Sequence, residues 1–181
     1  KLCGLKEKLI FKAIKKIKDV NGRLELVKHF SNDVKVFVDY AHTPDALLNV
    51  LNTINQVNIN KSKVITVIGC GGGRDIKKRK KMGLRAVNHS SFSVFTSDNP
   101  RDENPEKIIE DMISGIDTIQ LKKVFIELDR EIAIKLALSM IDEKCIVLIA
   151  GKGHENYQII KSKKIEFNDS HVVKKSLKIA V

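Results

Sequence analysis

The chain has 181 residues, 43% of them hydrophobic, which suits one domain with a real core, and no apolar run reaches the ~18 residues of a membrane helix. Its net charge of +11 is carried mostly by lysines that recur throughout, with only six arginines; aromatic residues are 5% and do not interleave with the basic clusters, so the stacking platform of a nucleic-acid binder is missing. Cys3, Cys70 and Cys145 show neither CxxC nor the Cys/His spacing of a zinc site, which fits a reducing cytoplasm, and Lys1 to Leu9 lack the apolar stretch of a secretory signal.

In chain order, Leu5, Leu9, Ile10, Ala13, Ile14 and Ile17 recur at helical spacing, and Asn21-Gly22 breaks the pattern. Alternating residues follow, then a β-branched run from Val34 to Val38 that ends in Asp39. Thr43-Pro44-Asp45 reads as N-cap, first-turn proline and first-turn acid, opening a helix with Leu47, Val50, Leu51 and Ile54 on one face. Val64 to Ile68 is a second strand, running into Gly69-Cys70-Gly71-Gly72-Gly73. The densest basic run, residues 77–81, reads as a solvated helix face, with a helix following through about residue 88.

Phe92 to Thr96 is a third strand. Asn104-Pro105 opens a helix with Ile108, Ile109, Met112 and Ile113 inward, Val124 to Ile126 is a short strand, and Asp129 caps a helix through Ile141. Cys145 to Ile149 is apolar throughout, as a strand buried on both faces must be. Tyr157 to Ile160 and Lys164 to Phe167 form a hairpin, and Asp169 caps the last helix. Strands alternating with helices predict an α/β, Rossmann-like, doubly wound and mostly parallel sheet with a carboxyl-terminal β-hairpin.

In such a sheet the polar motifs that follow the apolar runs all emerge on one edge, where ligands bind. Asp98-Asn99-Pro100-Arg101 sets an acid, an amide and a guanidinium together. Arg101 can hold a carboxylate through two parallel hydrogen bonds and Asp98 can take an ammonium, so the loop can read a zwitterion. Asp-Asn-Pro is equally ordinary turn chemistry. The glycine loop at 71–73 lacks GxGxxG spacing, and alone it is as well read as a tight turn. Arg74 upon it faces the same edge as Arg101, and two arginines suit a substrate with more than one carboxylate. Gly151-Lys152-Gly153-His154-Glu155 brings backbone near a ligand and offers Glu155 to an ammonium; His154 alone reads as a structural hydrogen-bonder. Asp39 suits ribose hydroxyls, and His42 stands at a helix amino terminus, where phosphates bind. Cys145 reads as core. Cys70, beside the glycine loop, is either a packing residue or a reactive thiol.

Taken in order, Gly22-Arg23-Leu24-Glu25, the run from Asp39 to Asp45, Gly69-Cys70-Gly71-Gly72 with Arg74-Asp75, Asp98-Asn99-Pro100-Arg101 and the run from Gly151 to Gln158 resemble the carboxyl-terminal part of the Mur ligases, in the branch that adds diaminopimelate. The resemblance covers residues 22 to about 177. It implies ATP-dependent amide synthesis with Mg²⁺: phosphorylation of the D-glutamate side-chain carboxylate of UDP-N-acetylmuramoyl-L-alanyl-D-glutamate, then attack by the amine of meso-2,6-diaminopimelate. By the same resemblance Arg74, Asp98, Asn99, Pro100, Arg101, Gly151 and Glu155 bind diaminopimelate, while Arg23, Asp39 and His42 contact ATP. Relatives that add lysine typically lack the arginine at the position of Arg101.

One departure matters. The GxxxxGK[ST] phosphate loop of the family is nowhere in the chain, nor are the Mg²⁺ ligands of its central domain. The expectation is that residues 1–20 are the tail of that central domain and residues 21–181 the amino-acid-binding domain. Such a piece is a cytoplasmic monomer that holds no catalytic residue or metal ligand and does not ligate by itself. A related Mur ligase or folylpolyglutamate-type synthetase with another acceptor, and a noncatalytic derived binding module, are the alternatives.

Overall fold

A computed structural model describes residue 4 and residues 6–14, 16, 20–29 and 34–178. Along the chain run α1 (Glu7–Ile14), β1 (Glu25–His29), β2 (Lys35–Asp39), α2 (Pro44–Val57), β3 (Lys63–Cys70), α3 (Lys77–His89), β4 (Phe92–Ser97) and α4 (Pro105–Ile113). They continue as the single turn α5 (Thr118–Leu121), β5 (Val124–Ile126), α6 (Arg130–Ser139), β6 (Cys145–Ala150), β7 (Tyr157–Ile160), β8 (Lys163–Glu166) and α7 (Asp169–Ser176).

Six strands make one sheet in the order β1-β2-β6-β3-β4-β5; β1 is antiparallel to β2 at one edge and every other pairing is parallel. β7 and β8 form a separate antiparallel hairpin. Parallel strands need cover on both faces, and the sequence supplies it: β6 is buried at all six positions and β3 at seven of eight. Successive side chains go to opposite layers. Ile68, Phe95 and Leu148 pack with Leu47, Met82 and Ile109 under α2, α3 and α4, whereas Ile65, Val67 and Ile149 pack with Ile134, Ala137 and Val173 under α6 and α7. β6 returns through α6 on the second face and inserts between β2 and β3. Winding reverses there, and a crevice opens at the carboxyl ends of those strands.

The anticipated sheet and hairpin are present, and the side chains of Thr43, Asn104 and Asp129 cap their helices as read from sequence. Four details differ. The last helix is capped by Asn168, which accepts from the His171 amide, while Asp169 is buried in an ion pair with Arg130. The basic run opens α3 instead of preceding it, and its Arg79 is only 1% exposed, closed by Glu103 and Asp111. α6 stops at Ser139, two residues short of Ile141, and α5 arises from an unforeseen cap at Asp117. α1 buries none of its residues. Cys3, Leu5 and Ile17 lie outside the described residues. Among those described, no helix is long and apolar enough to cross a membrane.

Candidate functional site

The loops after β2, β3, β4 and β6 enclose a cleft of about 360 Å³ at the carboxyl edge of the sheet. Arg74, Asp98, Asn99, Arg101, Gly151 and Glu155 all line it, and His42 stands on its wall. Tyr40, Thr43 and Lys78 join them, unforeseen from sequence.

The floor is ionic. Asp98 is 7% exposed and, among the described residues, its carboxylate receives no hydrogen bond; the Lys152 ammonium stands 4.0 Å from Oδ1. Burial pushes its pKa above the ordinary aspartate value, against the opposing charges of Arg130 and Lys152. Glu155 Oε2 accepts from Lys152 Nζ at 2.8 Å and from Asn99 Nδ2 at 3.1 Å. Burial alone would raise the Glu155 pKa, but the Lys152 bond and charge outweigh it and hold the group below the usual value. Asn99 Oδ1 accepts from the Ile159 amide and from Lys152, so the orientation of its amide is fixed. Gln158 Nε2 donates to the Asp98 carbonyl at 2.7 Å, holding the loop backbone.

Arg101 adopts a left-handed φ of 53° and is stitched by its main chain to the hairpin: its amide donates to Ile159 O, and its carbonyl accepts from the Lys161 amide. Its Nη1 donates to the carbonyls of Gly72 (2.7 Å) and Asn99 (3.3 Å). A non-glycine residue held in that region costs about 1–3 kcal/mol and persists where surrounding bonds over-determine it. Gly72 must be glycine, since a Cβ there would meet Pro100 O at 2.0 Å. Glu103 takes the Gly73 amide at 2.6 Å and pairs with buried Arg79, fixing the loop that carries Arg74. The Gly73 bond, then Arg79, hold the Glu103 carboxyl below its ordinary pKa.

The remaining sequence-derived residues sit differently. Pro100 lies outside the lining, in a neighbouring hollow with Asp102 and Ile160. Asp39 is buried, its carboxylate accepting from the amides of Leu24 and Ala41. Arg23 is exposed, its guanidinium 4.5 Å from the centre of the Tyr40 ring, which also meets His42 and His154 edge-on or tilted. Burial pushes the Cys70 thiol up to about 12 and Cys145 up to about 11, so both stay protonated and pack. Among the described residues no group of three His, Cys, Asp or Glu side chains is spaced to hold a metal ion.

Lys152 and Gln158, although inside the run from Gly151 to Gln158, received no role from the sequence, nor did Glu103 and Arg79. Lys152 is one lysine in a lysine-rich chain, and its only signal was its place between two glycines at the end of a buried strand. The arrangement as a whole pairs a buried, cation-seeking acid floor with a guanidinium rim, which is the chemistry of a zwitterion receptor.

Residues 22–153 match the family described as Mur ligase, glutamate ligase domain. Over 174 residues the chain is 49% identical to a UDP-N-acetylmuramoyl-L-alanyl-D-glutamate--2,6-diaminopimelate ligase of Aquifex aeolicus (strain VF5), covering 96% of this chain and 35% of that protein. A protein of the same name from Bacteroides thetaiotaomicron is 46% identical over 173 residues, covering 96% and 36%. A solved structure bearing that name superposes with a TM-score of 0.80 at 36% identity, covering 98% of this chain and 35% of the other. A bifunctional folylpolyglutamate synthase/dihydrofolate synthase from Yersinia pestis c092, solved with AMPPNP and Mn ion, shares the fold alone, with a TM-score of 0.61 at 18% identity over 97% of this chain and 35% of that one. The chain spans about a third of the length of the curated relatives it matches.

Proposed function

The chain belongs to the Mur ligase family, and on that premise we propose that it is the amino-acid-binding portion of an ATP-dependent cytoplasmic ligase that joins meso-2,6-diaminopimelate to UDP-N-acetylmuramoyl-L-alanyl-D-glutamate for peptidoglycan. The observation that carries the reading is Asp98: a buried carboxylate facing a cleft, without a hydrogen-bond donor among the described residues, beside Glu155 and two arginines.

In the reaction, the γ-phosphoryl group of ATP passes to the D-glutamate side-chain carboxylate and ADP departs. The diaminopimelate amine then attacks the acyl carbon, loses a proton and expels phosphate. A carboxylate resists nucleophiles, whereas an acyl phosphate carries a good leaving group. The residues of this chain grip the amino acid at the centre remote from the reacting amine. Asp98, Glu155 and the Gly151 carbonyl take its ammonium, and Arg101 with Arg74 takes its carboxylate. Holding that end fixes where the free amine stands.

On the wall beside the cleft, Arg23 stacked on Tyr40 offers a flat face to the adenosine portion of ATP, with Asp39 behind it and His42 toward the phosphates. On the family resemblance, we assign Mg²⁺ and the main phosphate cradle to the central domain of the Mur ligases, whose GxxxxGK[ST] loop does not occur in this sequence. The test is calorimetric titration of the chain with meso-diaminopimelate and with L-lysine, which lacks the distal carboxylate. The expected preference for diaminopimelate is about tenfold or more. Equal affinity, or none for either, would defeat the assignment.

A further inference from the structure

Lys152 is fully buried, yet it is not among the residues lining the cleft; it lies beneath the floor. Its Nζ stands 2.8 Å from Glu155 Oε2, 3.2 Å from Asn99 Oδ1 and 4.0 Å from Asp98 Oδ1, with the Tyr157 ring at 5.6 Å. Removing an ammonium from water costs several kcal/mol and is tolerated only where anions repay it. Here two carboxylates share one internal cation. Arg130, which also acts on Asp98, is closed upon Asp169 by two bonds of 2.8 Å, a pair that sums to zero. With both carboxylates ionised, Asp98, Glu155 and Lys152 therefore sum to a single negative charge.

We propose that Lys152 is a positioning residue that sets the valence of the amino-acid site: it neutralises one of two adjacent carboxylates and holds Glu155 and Asn99 in place, so that the floor accepts one ligand ammonium. The proposal rests on the assignment of this cleft to the amino acid. Without Lys152, two like charges face each other in a dry pocket, and the pair relieves the repulsion by keeping a proton. The ligand ammonium must then displace that proton. The titratable and charged groups around the pair are Lys152 beneath it, His42, Arg74, Asp75, Lys78 and Arg101 on the cleft walls, His154 acting on Glu155 and the Arg130–Asp169 pair acting on Asp98.

The test uses the 181-residue chain and its variants Lys152→Met and Lys152→Arg. The carboxyl carbons of Asp98 and Glu155 are titrated by NMR without ligand, and diaminopimelate affinity is then measured across pH. In Lys152→Met the upper apparent pKa of the pair is expected to rise by about one unit or more. The acid limb of the binding profile should move up with it, an affinity loss of about tenfold on that limb that recovers at higher pH. Lys152→Arg retains the charge and should titrate like the parent. A purely structural role would weaken binding evenly at all pH and leave the limb in place. A carboxyl titration of Lys152→Met superimposable on the parent overturns the proposal. Lys152→Gln, which keeps reach without charge, repeats the measurement should the methionine variant not fold. The carboxyl titration needs no ligand, so failure of the parent to bind diaminopimelate would count against the amino-acid assignment and not against the charge role.

Discussion

Arg101→Ala tests the rim most directly. The side chain spends Nη1 on the carbonyls of Gly72 and Asn99, leaving Nε and Nη2 of its fork for a ligand carboxylate. Losing one partner of a buried charge pair costs about 2–5 kcal/mol, mainly because the other charge is left unpaired. Arg101 is only half-buried, so solvent screens part of this and the lower end applies, about 2 kcal/mol or a 30-fold loss of diaminopimelate affinity. The fold should lose about 1–3 kcal/mol, since the buried Gly72 carbonyl loses its guanidinium donor while the Asn99 carbonyl keeps the Gly72 amide. The main-chain bonds of residue 101 to the hairpin remain. Calorimetry with diaminopimelate and L-lysine reads the outcome: affinity for the first should fall while affinity for the second holds, erasing the preference. Unchanged diaminopimelate affinity in a folded variant would refute the reasoning.

Three more expectations rest on the buried charges. Because burial lifts the Asp98 pKa, the folded chain holds that proton more tightly than the unfolded one; the resulting stability is present in acid, below the unfolded value, and lost as pH rises through the folded value. Asp98→Asn should therefore raise the melting temperature at alkaline pH but not in acid while abolishing diaminopimelate binding, and a lower melting temperature at alkaline pH would contradict this. Asp169→Asn leaves Arg130 buried without its anion and should destabilise the chain by about 3–5 kcal/mol in urea unfolding; a change under about 1 kcal/mol would show that the pair is not closed in solution. Glu103→Ala removes the acceptor of the Gly73 amide and one anion of Arg79, and should speed hydrogen exchange at Gly73 by about tenfold with Asp111 still holding Arg79; unaltered exchange would separate the glycine loop from that ion pair.

The sheet was legible because its inner strands are mostly apolar runs, β6 wholly so, that stop at glycine or acid, and those stops coincide with the cleft. What escaped depends on partners distant in sequence. Arg79 reads as one more cation in a basic run until α4 brings Asp111 against it. Asn168 and Asp169 are equally good caps on paper, and the choice falls to Arg130, 39 residues upstream, which claims the acid. Asp39 ends a strand as a ligand-facing acid would, yet the turn at Leu24 directs an amide onto it. Helical spacing around α1 shows an apolar face but not what it meets, and none of its described residues is buried.

The backbone at residue 101 is shaped by the bond its amide donates to the Ile159 carbonyl and the bond its carbonyl accepts from the Lys161 amide, both main chain to main chain. These main-chain bonds do not depend on the Arg101 side chain, which separately braces the carbonyls of Gly72 and Asn99. If the proposed assignment of the cleft holds, a substitution at residue 101 would alter which amino acid is accepted while the hairpin brace and the acid floor stay in place.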